Sequence, residues 1–550
     1  MWVVLPLAYE VIMKGAQCKN LEELTRAVVN NAIFPDNKVL DKRKAFAKHV
    51  ESFHNDSQIP LRIDYDGIIV MTAHQPNFFP YSGVVRKAVL LHAVAERVRD
   101  RLNCPVAELF CFADQDFADE RWFREAQLPS VRNKNGTLSL HLPVADSYNN
   151  KILRAVPKPE NDEIEKIKNE IQQWASDSRQ SILKSLKQLG LEVPDVCFDT
   201  RSLFELIDRA GERSSNAADF NALFLAYLIE QSGYKTAFAR FSECQQVFSD
   251  EIAFMLENGG QYARLMAESQ KKPSSIAQTP IWYHCPCNGK ADVEVMSSHN
   301  YALVTRCRVC NTTSEFKGNL RSALQQMLPN VSLRAEAMLI AFSGIGITFY
   351  VGGMGGTEYL RRAAKIAEAL DVRFPIVSTW RPKDVYAGLG QLDAMLELLR
   401  IKARYNLFQD GEKCDVALLQ RELDGMLTEI DEGVCALDNL KSAVANRKGD
   451  GFKEKIGFIV NIQTQLKTQF ERNKIARDRS IVANTKKTLS IIPSIIDYEV
   501  NIGVHSTFAQ WLAALEKNTH FDETLLLKTN TAMDALFDMT RRLFVGDLFE

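Results

Sequence analysis

The sequence predicts an α/β fold: a Rossmann-like, doubly wound parallel sheet, with a zinc ribbon inserted into it and an α-helical coiled-coil arm near the C-terminus. Three observations predict it. Two strand–turn–helix units stand far apart, at Gly67 to Ala88 and at Ile347 to Leu370. Four cysteines form two close pairs between them, Cys285-x-Cys287 and Cys307-x-x-Cys310. Beyond Val385, apolar residues recur almost entirely at the helical period.

In the first unit, Ile68 to Thr72 read as a buried strand. The chain breaks at His74-Gln75-Pro76, turns through Pro80 to Gly83 and resumes as a helix at Val84. His74, Gln75 and Asn77 thus sit between strand end and helix N-terminus, where free N–H groups and the helix dipole favour an anion. Arg86 and Lys87 fall in that helix's first turn, where cations are disfavoured unless an anion is near; they are a solvated pair or ligands for phosphate or carboxylate. A second strand, Ala107 to Phe112, runs into Ala113-Asp114-Gln115-Asp116. In extended chain Asp114 and Asp116 would point the same way and could take an amine, a ribose or Mg²⁺; as helix-capping acids they would do neither.

Upstream, Asn20 caps a helix whose face carries Leu21, Leu24 and Val28. Phe46, Val50 and Phe53 follow at helix spacing, with His54 to Ser57 as a loop. Residues 1 to 13 read as a buried strand or helix start. Downstream, Leu138 to Leu142 alternate as a strand, helices fill 159–189 and 201–233, and Ala237 to Phe241 returns as a strand. Lys271 to Ser275 mark a boundary. In the second unit, strand Ile347 to Val351 meets Gly352-Gly353-Met354-Gly355-Gly356 and then a helix. Glycines at 353, 355 and 356 allow a ligand close to the backbone. A strand at Phe374 to Val377 offers Arg381 beyond its end.

Cys285, Cys287, Cys307 and Cys310 fit a four-thiolate zinc site on two knuckles, with His284 or His299 as substitutes for one thiol. A segment of that size is too small to fold on a hydrophobic core alone, so the metal supplies stability. The site is structural. The expected organisation is a core at 1–270 with a helical insert at about 151–235, the ribbon at 271–320, the rest of the core at 321–384, a helical hairpin at 385–485 turning at Arg447 to Gly451, and helices at 486–550. Ser490 to Ile496 read as extended.

Composition bounds the rest. The 550 residues exceed one ordinary core; 46% are hydrophobic and 25% charged, with a net charge of −2, which argues against bulk attraction to nucleic acid or acidic membranes. No apolar run approaches a membrane span. Eleven mostly scattered cysteines suit a reducing cytoplasm better than a disulfide framework.

Taken in order, these motifs resemble the bacillithiol biosynthesis cysteine-adding enzyme family. Thr72 to Phe79 with Lys87 stand where that family has a GQQxGLxxGPLYTxxK-like segment, and Ala113 to Asp119 where it has an acidic EDHDFEE-like turn. Phe349 to Tyr359 stand for its AYVAGPGExAY-like turn, and Asp371 to Val377 with Arg381 for its GVxFPVLxPR-like stretch. Ala73, His74, Ala113 and Gln115 depart from the pattern, and the ribbon is additional to it. The resemblance implies a carbon–nitrogen ligase adding cysteine, or another amino acid, to the amine of a sugar-derived acceptor, using ATP and Mg²⁺. His74, Asp114 and Asp116 would be catalytic; Gln75, Asn77, Lys87, Gly353, Gly355, Gly356 and Arg381 would bind substrate or nucleotide. A homodimer through the helical arm is expected. The competing expectation is a non-enzymatic zinc-ribbon protein binding a partner or nucleic acid through Arg306, Arg308, Lys317 and Arg321.

Overall fold

A computed structural model describes residues 18–61, 63–193, 195–268, 279–296, 301–405, 413–445 and 451–544. The N-terminal apolar segment, the boundary at Lys271 to Ser275, His299 and most of the turn at Arg447 to Gly451 lie outside them. In chain order the strands are β1 (Ile68–His74), β2 (Val106–Phe112), β3 (Glu125–Pro129), β4 (Thr137–His141) and β5 (Ala237–Arg240). There follow β6 (Ile281–His284), β7 (Lys290–Val295), β8 (Tyr301–Cys307), β9 (Thr313–Lys317) and β10 (Val331–Leu333), then β11 (Ile347–Val351), β12 (Ile376–Ser378), β13 (Lys383–Val385) and β14 (Thr524–Leu526).

Five strands form a wholly parallel sheet in the order β12-β11-β1-β2-β5. The chain builds β1, β2 and β5 outward in one direction, then returns to build β11 and β12 on the other side of β1. Adjacent strands β1 and β11 therefore send their following segments apart and leave a crevice at their C-terminal ends, the topological switch point of such sheets. Both faces are covered. Val70, Phe110, Phe112, Phe349 and Val351 enter one apolar core; Ile69, Met71, Leu109, Cys111 and Tyr350 enter a second. That is why the strands read as continuous apolar runs.

The opposite end of the crevice is pinned by Arg43. Its buried guanidinium donates to the carbonyls of Tyr65 and Gly67, which lead into β1, at 2.6 and 2.7 Å, and to those of Ile345 and Gly346, which lead into β11, at 2.8 and 3.2 Å. Burial pulls this guanidinium down to about 10, and the charge-assisted bonds to four carbonyls compensate for its lost hydration.

Several local expectations change. The helix carrying Phe46 and Phe53 runs through the predicted loop to Ser57, where Gln58 stops it in the left-handed conformation at φ 57°. Val385, expected to open the helical region, instead ends β13, which pairs in parallel with β14. Of the segment read as extended, Ser490 to Ile496, Ser490 ends one helix and Ile495 begins the next, so only 491–494 lie outside helix, with Ser494 as the cap. β3, unseen in the sequence, forms a hairpin with β4. In the arm, Val416–Ala445 packs on Gly451–Ser490; the ion pairs Asp431–Arg472 and Asp424–Arg479 run in opposite order along the two helices, so they are antiparallel.

The ribbon is a five-stranded antiparallel sheet in the order β10-β6-β7-β8-β9. It does not stand apart, as its expected boundaries imply. β10 joins it from beyond the helix Leu320–Met327, and Ile281, Ala291, Val293 and Leu303 belong to the second apolar core. Metal is thus not its sole support.

Candidate functional site

At the C-terminal ends of β1 and β11 lies a cavity of about 680 Å³, lined by His74, Gln75, Asn77, Lys87, Asp116, Gly353, Gly355 and Gly356. The two strand–turn–helix junctions therefore face one space. Asp114 and Arg381 do not line it. Asp114 is turned inward, accepts from the Ser242 N–H at 2.9 Å, and burial pushes it up to about 6. Arg381 is exposed and donates to Thr357 Oγ1 at 2.8 Å, beside the first turn of the helix Thr357–Ala369. The two aspartates do not form the expected joint site for Mg²⁺ or an amine: the peptide turn between them sends one to Ser242 and the other to the cavity.

The turn after β1 is fixed by remote chain. Phe79 holds φ at 40°, a conformation costing an L-residue on the order of 1–2 kcal/mol. Its ring is buried against Phe78 and Phe224, with centroids 4.2 and 4.9 Å away, while Ser494 Oγ donates to its carbonyl at 2.7 Å. The strained turn presents Gln75 and Asn77; the Asn77 Oδ1 is buried and has no hydrogen-bond partner among the described residues.

Arg86 and Lys87, adjacent in sequence, are both buried and part company; the solvated reading fails for both. Arg86 pairs with Asp384 and lies 5.5 Å from the Trp511 ring, a structural contact. Lys87 points into the crevice. Its Nζ donates to the Ala73 carbonyl at 2.9 Å and, among the described residues, meets no carboxylate at ion-pair distance. Burial pulls it down to about 7. A methyl group on Gly353 would stand 3.2 Å from its Cε and 3.3 Å from its Nζ, so the glycine gives the amine its room.

His74 is held in one tautomer. Its Nδ1 meets the Gln75 carbonyl at 2.9 Å and must donate to it, so in the neutral ring Nε2 is an acceptor. Burial, then the neighbouring Lys87, push the imidazolium down to about 3. The ring is therefore neutral at pH 7, and its free nitrogen accepts a proton rather than donating one to phosphate. Asp116 accepts from the Gln75 amide and from Lys290 Nζ, the latter at 3.3 Å. Burial raises this carboxyl, but Lys290, Gln75 and the Phe117 N–H outweigh it and hold it below the usual carboxylate range.

Sequence reasoning missed Lys290, Trp282, Arg334, Glu336 and Tyr359, which complete the wall. Arg334 lies 3.5 Å from the Trp282 ring centroid and pairs with Asp292 at 3.2 Å; Glu336 pairs with Arg362 at 2.7 Å. The only local signal was a cation and an aromatic flanking the first cysteine pair.

The four predicted thiols do converge. Sγ atoms lie 3.5 Å apart in Cys285–Cys310 and 3.6 Å in Cys287–Cys307, and all four fall within 4.8 Å of one another. A tetrahedral four-sulfur site with metal–sulfur bonds of about 2.3 Å needs sulfurs about 3.8 Å apart, so the donor set fits zinc. Each knuckle ends in a left-handed asparagine, Asn288 at φ 64° and Asn311 at φ 59°. His284 stands outside this cluster, with its Nε2 2.8 Å from Ser332 Oγ. On the second knuckle, Arg308 is engaged by Asp292 at 2.8 Å and by Trp282, so that cation serves the protein's own packing. Another cluster, His92, Glu96 and Glu108, is already balanced by Arg99, which pairs with both glutamates.

No family model matches the chain, and no curated protein matches it. One solved structure, described as a candidate arginyl-tRNA synthetase from Campylobacter jejuni, overlaps 88% of this chain and 100% of its own at 10% identity, with a TM-score of 0.23. At that level the likeness carries no argument about fold or reaction. The resemblance to the cysteine-adding family rests on motif order alone. No described helix is long and apolar enough to cross a membrane.

Proposed function

We propose that this chain is a carbon–nitrogen ligase, or a nucleotide-dependent transferase of the same chemistry, built on a Rossmann-like core. It joins an amino-acid carboxylate, cysteine in the case the resemblance implies, to the amine of a sugar-derived acceptor. One observation carries the reading: a buried amine without a carboxylate partner among the described residues, Lys87, stands between two strand–turn–helix junctions in one cavity. Such a group is costly to bury and is compensated when an anion arrives.

Lys87 and the glycine turn, at the N-terminus of Thr357–Ala369, hold the phosphate or carboxylate. Neutral His74 presents Nε2 as acceptor for the proton the amine loses on attack; an anion beside Lys87 raises the basicity of both. Asp116, rather than Asp114, faces the acceptor. ATP would supply the activated acyl group, with Lys87 and the glycine turn around its phosphates. The test is ATP consumption in the presence of cysteine and amino-sugar acceptors, joined to calorimetry in buffers of different ionisation enthalpy. At pH 8 the expected result is turnover, with proton uptake on pyrophosphate binding because Lys87 recharges. Absence of turnover together with no binding of ATP or pyrophosphate removes the proposal.

The arm supports a second-copy contact. Ile462, Leu466 and Phe470 lie four residues apart on one helix and are 40%, 67% and 68% exposed. Sedimentation should give a dimer that Leu466→Glu dissociates; a wild-type monomer would reject this contact.

A further inference from the structure

The first cysteine knuckle is stitched to the loop that presents Asp116. The Ile152 N–H donates to the Asn288 carbonyl at 2.9 Å, and Lys151 bridges Gly289. The same short strap closes on the turn after β2. Leu153 N–H donates to the Asp116 carbonyl at 2.8 Å, Arg154 N–H to the Asp114 carbonyl at 3.1 Å, and Ala118 N–H to the Lys151 carbonyl at 2.8 Å. Residues 151 to 154 thus have the knuckle tip on one side and the acid-bearing turn on the other.

A side chain makes the second link. Lys290, three residues beyond Cys287, is buried and lines the cavity, with its Nζ 3.3 Å from Asp116 and 4.3 Å from the Phe117 ring centroid. The knuckles close tightly on each other here: a Cβ on Gly289 would lie 2.9 Å from Val309 Cβ and 3.0 Å from Cys307 Sγ. Four gathered thiolates repel one another unless a cation holds them. The metal therefore sets the distance between knuckles, and with it the position of Asn288 and Lys290.

We propose that the four-cysteine centre governs ligand binding in the cavity, with Lys290 as the positioning residue that carries its state to Asp116. With the metal bound, Lys290 neutralises the Asp116 carboxylate. Without it, the knuckle loosens, the strap releases, and an uncompensated carboxylate faces the anion held at Lys87. The ligand-binding arm of this inference rests on the anion-holding role of the cavity; the strap arm does not.

The experiment compares the zinc-loaded full chain with three variants: the double substitution Cys285→Ser, Cys287→Ser; Lys290→Met; and Lys290→Arg. Pyrophosphate affinity is read by calorimetry, and protection of the Ile152 and Leu153 amides by hydrogen exchange. The double variant and Lys290→Met should each lose affinity by about tenfold or more, as when one member of a buried charge pair is removed. Lys290→Arg should restore it. Only the double variant should lose amide protection. Wild-type affinity in Lys290→Met overturns the proposal, and that arm decides alone if the double variant does not fold. Unchanged protection and affinity in the folded double variant overturn it too. If zinc-loaded wild type binds no pyrophosphate, the anion reading falls, and amide protection in the double variant then decides the strap.

Discussion

Lys87→Met is expected to abolish pyrophosphate binding and, at the same time, to make the protein more stable at neutral pH. The two effects share one cause. Burial pulls the Lys87 ammonium from 10.5 down to about 7. Between those values the unfolded chain holds a proton that the folded chain has released, so stability rises with pH across that window. The penalty is full below pH 7 and gone above 10.5. An uncharged side chain of similar length removes it, for a gain on the order of 4 kcal/mol at pH 7, reduced by about 1 kcal/mol for the stranded Ala73 carbonyl. Denaturant titrations of both proteins at pH 7 and pH 10 read the result directly: a higher midpoint for the variant at pH 7 and a smaller difference at pH 10. A variant that is less stable and still binds pyrophosphate would mean that Lys87 is a structural contact. A stabilising substitution that destroys binding is the signature of a group retained for function.

The second large effect concerns the metal. Elemental analysis of the purified protein should find about one zinc per chain, and the double variant Cys307→Ser, Cys310→Ser should carry almost none, because a four-ligand structural site does not survive the loss of half its donors. Calorimetric unfolding should then change in shape as well as position. Ile281, Ala291, Val293 and Leu303 keep the inner face of the ribbon in the second core. The two knuckle tips, Cys285 to Gly289 and Cys307 to Thr312, depend on the metal. A separate low-temperature transition is therefore expected, with the parallel sheet melting near its wild-type temperature. Stoichiometric zinc in the double variant would reject the assignment.

Much of the fold was legible because it is written in local periodicity. The parallel strands are continuous apolar runs, since both faces are covered, and Ala237 to Arg240 was recognisable as a returning strand. The cysteine pairs announced their own convergence, since gathering four thiols needs only two turns and a hairpin between them. Where local signals are ambiguous, partners distant in the chain decide the element. His54 to Ser57 are polar enough for a loop but lie within a helix, and Val385 passes for a first helical residue until β14 pairs with it.

The sequence alone determined which segments become strands, turns and helices, and which residue types stand at the strand ends. It determined His74, Lys87, Asp116 and the glycine turn as candidates, because each sits at a junction whose chemistry is local. Only the tertiary structure decided how those candidates are used. Arg86 and Lys87 are neighbours in the chain, yet packing sends one to Asp384 and the other to the crevice. Asp114 and Asp116 looked equivalent until the turn between them turned one inward. Lys290 reaches the cavity only because the ribbon folds back over the sheet. The reason is physical: periodicity encodes which face of an element is buried, whereas the meeting of distant segments depends on strand order and on packing between elements, which no single stretch of sequence contains.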